Sequence, residues 1–438
     1  MKTIRNSILI LLLCVVLGFV LLALAYLLPV SAMQDECYES LHAFLPEEIV
    51  KTDPLSGHDQ DNFTDALLLL EAAYPGTESL TERVIGNYFL ATPGLVGASF
   101  PDREGIMFFG EEYVNPIKSF LDLYGYENGG RSMSYSRYWH GYLVFLKPLL
   151  CLFNYDQIRL LYFAAETLLG LAALALLLKK APRAAVTFAL MLLLLAPSSV
   201  ARSLQYASMS LLMLLSSLLL VWNPAGKRRE RLLPGFFLVV GILAAYLDLL
   251  TMPSITLTVP LCLLCALDGK GRESGLKRLG WYSVLWLAGF GGMWAAKWLL
   301  AWIWQGESFL QNVLTTVSIR ASASVGEESA SRLGTLLRNG RELFATGWVN
   351  VLTVLYAAAA AAIGLLGRRQ GWRFPTSREA LRLVPPFLIP LFWILGMCNH
   401  SCIHYWFTFR TLAPCVLAVL LALTPGKKEG SGTRETSP

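Results

Sequence analysis

The sequence predicts an all-α polytopic membrane protein with about ten transmembrane helices, and three observations lead to this fold class. Of the 438 residues, 55% are hydrophobic and 15% are charged, whereas soluble domains carry about 25% charged residues. Apolar segments long enough to cross a hydrocarbon core recur along the chain. Lys and Arg gather between alternate segments. The same composition excludes disordered, collagen-like and disulfide-scaffold classes.

Ten apolar segments account for the predicted transmembrane helices. The first, Ser7–Val30, contains no charged residue and follows Lys2 and Arg5. It is longer than the ~7–15 residues of a signal-peptide core, so it predicts a membrane anchor. The other nine segments are Ile158–Leu178, Ala184–Val200, Ala207–Val221, Leu233–Leu250, Ser254–Leu267, Trp281–Trp304, Gly347–Leu366, Leu383–Cys398 and Thr411–Leu423.

The basic residues predict the orientation of the helices. Twenty-one of the 36 Lys and Arg fall in short connections at 2–5, 179–183, 227–231, 270–278, 368–382 and 427–434. Short basic connections face the cytoplasm, so both termini are predicted inside. The chain then divides into a cytoplasmic N-terminus with the first helix (1–30), a large extracytoplasmic loop with amphipathic or interfacial helices (31–157), a helix bundle (158–424) with a second outer loop (305–346), and a disordered cytoplasmic tail (425–438).

The distribution of motifs places any chemistry on the outer side. The cytoplasmic connections contain no P-loop, dinucleotide-binding fingerprint or kinase motif. No basic aromatic stripe predicts a nucleic-acid partner. All five His residues fall on the predicted outer side: His42, His58, His140, His400 and His404. Of the eight Cys, only Cys37 and Cys402 could pair there, and the sequence leaves that disulfide open.

An acidic cluster opens a helix in the first outer loop. Asp61 or Thr64 begins this helix, because both residue types favour the N-cap position. The following Leu67–Leu70 predicts that the helix is buried. Asp61 and Asp65 are four residues apart and share one face. Together with Asp59, they are either caps that complement the helix dipole or catalytic carboxylates in a membrane-facing cleft.

An aromatic cluster ends the same loop. Residues 135–142 read Tyr-Ser-Arg-Tyr-Trp-His-Gly-Tyr, just before an apolar stretch that is too short to span a membrane. Aromatic side chains are common at the headgroup level of membrane helices, which is the simplest interpretation. The functional interpretation is a substrate platform, in which Tyr138 and Trp139 stack on sugar faces while Arg137 and His140 bind phosphate or hydroxyl groups.

A third cluster lies in the outer turn between the last two predicted helices. His400 and His404 are four residues apart and would hold a metal if the turn is helical. No cofactor is predicted with certainty, and a divalent cation is left open. We favour hydrogen bonding of both His residues to a hydroxylated or phosphorylated ligand, with Arg410 as the phosphate contact.

Ionisable residues inside membrane helices are costly and are functional candidates by default. Three of them, Glu166, Asp248 and Lys297, lie in the outer halves of their segments. Together with Arg320 and Arg202 they predict a polar cavity that opens outward, in which Asp248, Lys297 and Arg320 bind substrate. The alternative is structural pairing, for example of Asp248 with Lys297.

The layout resembles the GT-C superfamily of integral-membrane glycosyltransferases. The resemblance is architectural and rests on a first span, a large acidic first outer loop and a many-helix bundle. It implies a polyprenyl-phosphate-linked sugar as donor, a cell-envelope polymer or lipid as acceptor, and an acidic general base in the first outer loop. The positions that carry over are Asp59, Asp61 and Asp65, and we favour Asp61. Segments Tyr246–Leu261 and Asn399–Arg410 resemble membrane-protein families of Gram-positive bacteria, which implies a bacterial plasma membrane.

Three other functions remain as alternatives. An O-antigen ligase or polymerase shares the chemistry, but its large outer loop is expected later in the chain. A transporter or flippase for lipid-linked substrates would carry broken helices near the membrane midplane, often in repeats. A non-catalytic membrane scaffold needs none of the three polar clusters.

Overall fold

The computed structural model describes residues 2–45, 48, 50–92, 107–109, 112–125, 129–223, 226–268, 273–325 and 328–427. In chain order the helices are α1 (Lys2–Ala25), α2 (Val30–Glu39), α3 (Asn62–Ala72), α4 (Leu80–Gly86), α5 (Pro116–Gly125), α6 (Leu143–Leu150), α7 (Tyr155–Lys180), α8 (Pro182–Leu194), α9 (Pro197–Val200), α10 (Leu204–Trp222), α11 (Lys227–Leu247), α12 (Ile255–Leu267), α13 (Leu276–Gln305), α14 (Glu307–Ala321), α15 (Arg332–Leu343), α16 (Gly347–Leu366), α17 (Ser377–Leu381), α18 (Val384–Gly396), α19 (Cys398–Ile403), α20 (Tyr405–Thr408) and α21 (Ala413–Leu423).

Short antiparallel ribbons connect these helices. They are formed by β1 (Val50–Thr52) with β2 (Asp59–Asp61), β3 (Tyr88–Ala91) with β6 (Arg131–Ser134), β4 (Met107–Phe109) with β5 (Glu112–Val114), β7 (Ser324–Val325) with β8 (Glu328–Ser329), and β9 (Trp372–Arg373) with β10 (Gly426–Lys427). The start of the predicted disordered tail therefore forms a strand instead. The rest of that tail lies outside the described residues, as do Lys270, Arg272, Lys428 and Arg434.

The structure confirms an all-α polytopic membrane protein. Eight helical segments of the described chain are long and apolar enough to cross a membrane. Two of the ten predicted segments form shorter helices, α8 and α12, of 13 residues each. At ~1.5 Å per residue they reach about 20 Å, less than the ~30 Å hydrocarbon core. The chain leaves α8 early because Ala196 adopts a left-handed conformation with φ 56° and Pro197 follows.

Basic ends of several helices meet on one side of the bundle. Lys180, the last residue of α7, donates to the carbonyl of Val221 near the end of α10 (2.5 Å). Arg229, in the first turn of α11, pairs with Glu273 just before α13. We call this side of the bundle the basic end and the opposite side, which carries the large first loop, the loop end.

The first loop packs against the loop end through α3. Every residue of α3 is buried, and the helix contacts α5, α6 and α10. Its N-cap is Asp61, whose side chain accepts from the backbone N–H of Thr64, so one of the two predicted helix starts is confirmed. The consecutive Leu67–Leu70 is fully enclosed, because a helix that is apolar all round needs neighbours on every side.

The last outer turn lies directly against this first loop. The rings of His58 and Phe409 stack with centroids 4.7 Å apart. Helix α15, from the second outer loop, contacts α18, α19 and α20 and so packs over the last outer turn. Cys37 and Cys402 are both free thiols, so the disulfide that the sequence left open is not formed.

Candidate functional site

Asp61 stands where β2 ends and α3 begins, close to the turn that contains Trp406. One carboxylate oxygen accepts from the backbone N–H of Thr64 at 2.8 Å, and the residue is only 4% exposed. Burial raises the pKa of the Asp61 carboxyl to about 7, and the charge of Asp65 adds to the rise. The hydrogen bonds from Thr64 and Trp406 oppose it. A carboxyl of this kind exchanges its proton near neutral pH, as a general base must.

Asp65 has a different role, although it lies one turn further along α3. It is fully buried and accepts the Tyr155 hydroxyl at 2.7 Å. It also accepts the Ser203 hydroxyl and the backbone N–H groups of Leu204 and Gln205 at 3.2, 2.9 and 3.0 Å. These four donors occupy the lone pairs of the carboxylate. Asp65 therefore acts as an N-cap supplied to α10 by another helix.

Asp59 is the most accessible of the three carboxylates. It is half-buried on β2 and accepts from the Thr52 hydroxyl at 2.9 Å. Its backbone carbonyl accepts from the Ser199 hydroxyl at 3.0 Å. Asp59 thus ties the ribbon to the short helix α9, and the three predicted catalytic residues differ in their surroundings.

Asn62 and Gln205, on the two helices that Asp65 joins, have buried polar side-chain atoms without a partner among the described residues. Within the described chain, both amide atoms of Asn62 and the Oε1 atom of Gln205 form no hydrogen bond. Asn62 follows Asp61 in the chain, and Gln205 lies in the first turn of α10, which Asp65 joins to α3. Nearly all buried polar groups are hydrogen-bonded in native proteins. These amide groups are therefore able to bind water or a polar ligand.

Arg410 is brought to the acidic cluster but is held by the protein itself. Its guanidinium donates to the carbonyls of Leu195 and Trp406 at 2.9 and 3.0 Å, and to the Ser199 hydroxyl at 3.0 Å. The Cζ atom of Arg410 lies 4.7 Å from the ring centroid of Tyr206 and 4.5 Å from that of Phe409. Both distances are within the range of a cation–π contact. Ser199 in turn contacts Asp59, so Arg410 fixes the last turn against the first loop.

His400 and His404 lie together, as the sequence predicts, with ring centroids 4.8 Å apart. His400 contacts the Leu250 carbonyl at 2.9 Å through Nε2, and its Nδ1 atom has no partner in the described chain. Burial, followed by the charge of Arg320, lowers the pKa of His404 to about 3, so its ring is neutral at physiological pH. No group of three potential metal ligands occurs among the described residues. Neutral rings of this kind suit hydroxyl groups rather than anions.

Two arginines, Arg137 and Arg320, are half-buried at the loop end, and the charge of Arg320 acts on both histidines. Arg320 donates to the Tyr138 hydroxyl at 2.8 Å. The guanidinium of Arg137 lies 5.3 Å from the ring centroid of Tyr135, and its Nε has no partner in the described chain. The charges of both arginines act on the Tyr135 hydroxyl, which places them near each other. We call Arg137 and Arg320 the arginine pair.

His140 is fully buried and engaged at both ring nitrogens. Nδ1 contacts the Glu71 carboxylate at 2.7 Å, and Nε2 contacts the Tyr135 carbonyl at 2.8 Å. The Tyr142 hydroxyl donates to the same Glu71 oxygen at 2.5 Å. His140 also adopts a left-handed φ of 56°, which a non-glycine residue keeps only where its surroundings hold it.

Lys297, Trp139 and Asp248 are likewise engaged by the protein. The Lys297 ammonium donates to the carbonyls of Val84 and Ile85 at 3.1 and 2.8 Å, to the Asn87 side chain, and lies over the Trp139 ring. The Trp139 indole donates to the Met293 carbonyl at 2.7 Å. Asp248 accepts from the backbone and hydroxyl of Thr251. Asp248 and Lys297 form no ion pair with each other.

Sequence reasoning missed two residues of this region. Glu71 follows four leucines in a helix that the sequence predicts to be buried. A charged residue at such a position indicates that a buried partner faces it, and that partner is His140. Trp406 lies between His404 and Arg410 in the sequence, where an aromatic residue gives no local signal of a role, although its indole contacts Asp61. No protein-family model, no curated protein and no solved structure matches this chain.

Proposed function

We propose that the protein is a membrane glycosyltransferase that moves a sugar from a polyprenyl-phosphate donor to a cell-envelope acceptor, as in the GT-C superfamily that its layout resembles. The observation that carries the proposal is the environment of Asp61. Burial raises the pKa of its carboxyl to about 7, and the next residue, Asn62, has buried amide atoms without a partner in the described chain. An inverting glycosyltransferase needs such a carboxylate to deprotonate the acceptor hydroxyl as the sugar transfers.

The proposed reaction uses the two ends of one polar path. At one end, the acceptor hydroxyl gives its proton to Asp61 while its oxygen bonds to the anomeric carbon. The bond from that carbon to the phosphate oxygen breaks, and the leaving phosphate keeps the electron pair. The arginine pair stabilises this anion at the other end, because guanidinium groups bind phosphate with charge-assisted hydrogen bonds.

Contacts between aromatic rings support a path between these ends. The Trp406 indole, which contacts Asp61, lies 5.1 Å from the His404 ring between centroids. His404 in turn lies close enough to Arg320 for its charge to act on the ring. Neutral His400 and His404 then provide hydrogen-bonding groups for sugar hydroxyls midway. Arg410 and Lys297, whose donors are occupied by protein atoms, position the surrounding helices.

The test is a turnover assay with purified protein, radiolabelled polyprenyl-phosphate sugars and an envelope-lipid acceptor. We expect release of polyprenyl phosphate with transfer of the sugar. Replacing either member of the arginine pair with Gln should lower kcat/KM about tenfold or more, because each removes a charged hydrogen bond. Arg341→Gln, an exposed change on α15, is the matched control. Movement of the lipid across vesicles without sugar transfer would instead identify a flippase and contradict the proposal.

The proposed orientation places the basic end in the cytoplasm of a bacterial cell and the loop end outside, with both termini inside. The gathering of basic side chains at one end supports it. We expect a membrane-impermeant maleimide to label Leu55→Cys in intact cells, since Leu55 is 69% exposed at the loop end. Arg369→Cys, exposed at the basic end, should react only after permeabilisation. The wild-type protein, with its own cysteines, gives the background labelling. The opposite labelling pattern would show that the orientation is reversed.

A further inference from the structure

A cavity of about 500 Å³ lies at the basic end, where the first turns of α11 and α13 face each other. It is lined by none of the residues of the candidate site. Its lining residues are Lys227, Glu230, Arg231, Pro234, Arg278, Trp281 and Tyr282. The proposed glycosyl transfer uses none of them.

The cavity carries an excess of positive charge. Lys227, Arg231 and Arg278 contribute three cations, and Glu230 is the one acid in the lining. Glu230 lies 3.5 Å from Arg278, a distance typical of a weak ion pair. Within the described chain, Lys227 and Arg231 form no ion pair, although both face this cavity. Two cations are therefore left for an anion.

The apolar surface beside the cavity places it at the level of lipid headgroups. Trp281, in its lining, is 41% exposed. Val284 and Leu287, which follow Trp281 along α13, are 54% and 60% exposed, as expected of side chains that face acyl chains. Exposed tryptophans prefer the boundary between hydrocarbon and headgroups. The cations thus lie where the phosphate of a membrane lipid lies.

We propose that this cavity binds the headgroup of an anionic phospholipid. The lipid phosphate contacts Lys227, Arg231 and Arg278, and the acyl chains lie along Val284 and Leu287 of α13. Anionic lipids are attracted to basic pockets between membrane helices. The proposal is independent of the proposed glycosyl transfer and holds whether or not the protein is an enzyme.

The test is a lipid titration of the purified protein in neutral detergent, followed by native mass spectrometry. The wild type should retain phosphatidylglycerol and bind phosphatidylcholine at least about tenfold more weakly. The triple variant Lys227→Gln, Arg231→Gln, Arg278→Gln should lose phosphatidylglycerol binding by about tenfold or more. The matched control, Arg368→Gln, Arg369→Gln, Arg378→Gln, removes three exposed charges at the same end outside the cavity and should bind as the wild type does.

Circular dichroism and thermal melting show whether the variants remain folded. If the triple variant unfolds, the single variant Arg231→Gln provides a milder test. Its affinity for phosphatidylglycerol should fall roughly fivefold. Equal binding of phosphatidylcholine, or an equal loss in the control, would overturn the proposal. Glycerol phosphate binding as tight as that of the lipid would assign the cavity to a soluble phosphate instead.

Discussion

Asp61→Asn should lower the rate of sugar transfer by roughly 10²-fold or more, while leaving the folded protein almost as stable as the wild type. Asn keeps the shape of Asp and still caps α3 through Thr64, but it cannot accept the acceptor's proton. The measurement combines kcat from the turnover assay with the melting temperature of the same preparation. Loss of activity without loss of stability separates a base from a cap.

Asp59→Asn is the matched control, because Asp59 lies two residues away on the same strand and is more accessible. Its kcat should stay within a few-fold of the wild type. Asp65→Asn should lower stability along with activity, because both Asp65 oxygens accept two donors and an amide nitrogen cannot accept those of the oxygen it replaces. Full activity in both Asp61→Asn and Asp65→Asn would refute the base assignment and leave the cluster as helix caps.

Glu71→Gln should destabilise the protein by about 3–5 kcal/mol, the usual cost of removing one partner of a buried ion pair. Glu71 contacts His140 and Tyr142 directly, and its charge also acts on Lys147 and Lys297. Gln fills the same volume but removes the negative charge that faces His140, Lys147 and Lys297. Thermal unfolding in detergent, followed by intrinsic fluorescence, should show a melting temperature several degrees lower.

Glu39→Gln, an exposed change at the end of α2, is the control and should leave the melting temperature unchanged. A Glu71→Gln protein as stable as the wild type would mean that the buried cations lose their charge or find other partners. Restored stability in Glu71→Gln with His140→Gln, relative to Glu71→Gln alone, would identify His140 as the main partner.

The sequence predicts the fold class because the thickness of the hydrocarbon core sets the length of a transmembrane helix. That length can be read from each apolar segment by itself. The sequence does not predict the lengths of α8 and α12. α12 has Ile255–Leu264 buried within the bundle, where neighbouring helices replace lipid and a short helix suffices. The break after α8 depends on Ala196, a residue that rarely signals a left-handed turn.

The candidate site is predictable where its signals are local. Asp61 is recognisable as a cap because the helix it opens follows it directly. The sequence does not distinguish the role of Asp65 from that of Asp61, because the α10 residues that Asp65 caps are about 140 positions away in the sequence. Arg410 and Lys297 look like ligand contacts in the sequence, but burial makes them satisfy carbonyl groups that the helix breaks leave open.

The pH dependence of kcat/KM tests most directly whether Asp61 is the base. Because burial raises the pKa of its carboxyl to about 7, the fraction present as carboxylate increases as the pH rises through that value. The rate should therefore rise about tenfold per pH unit below pH 7 and level off above it, and the residual rate of Asp61→Asn should lack this rise. A wild-type rate that does not change between pH 5.5 and 8, or the same rise in Asp61→Asn, would contradict the account.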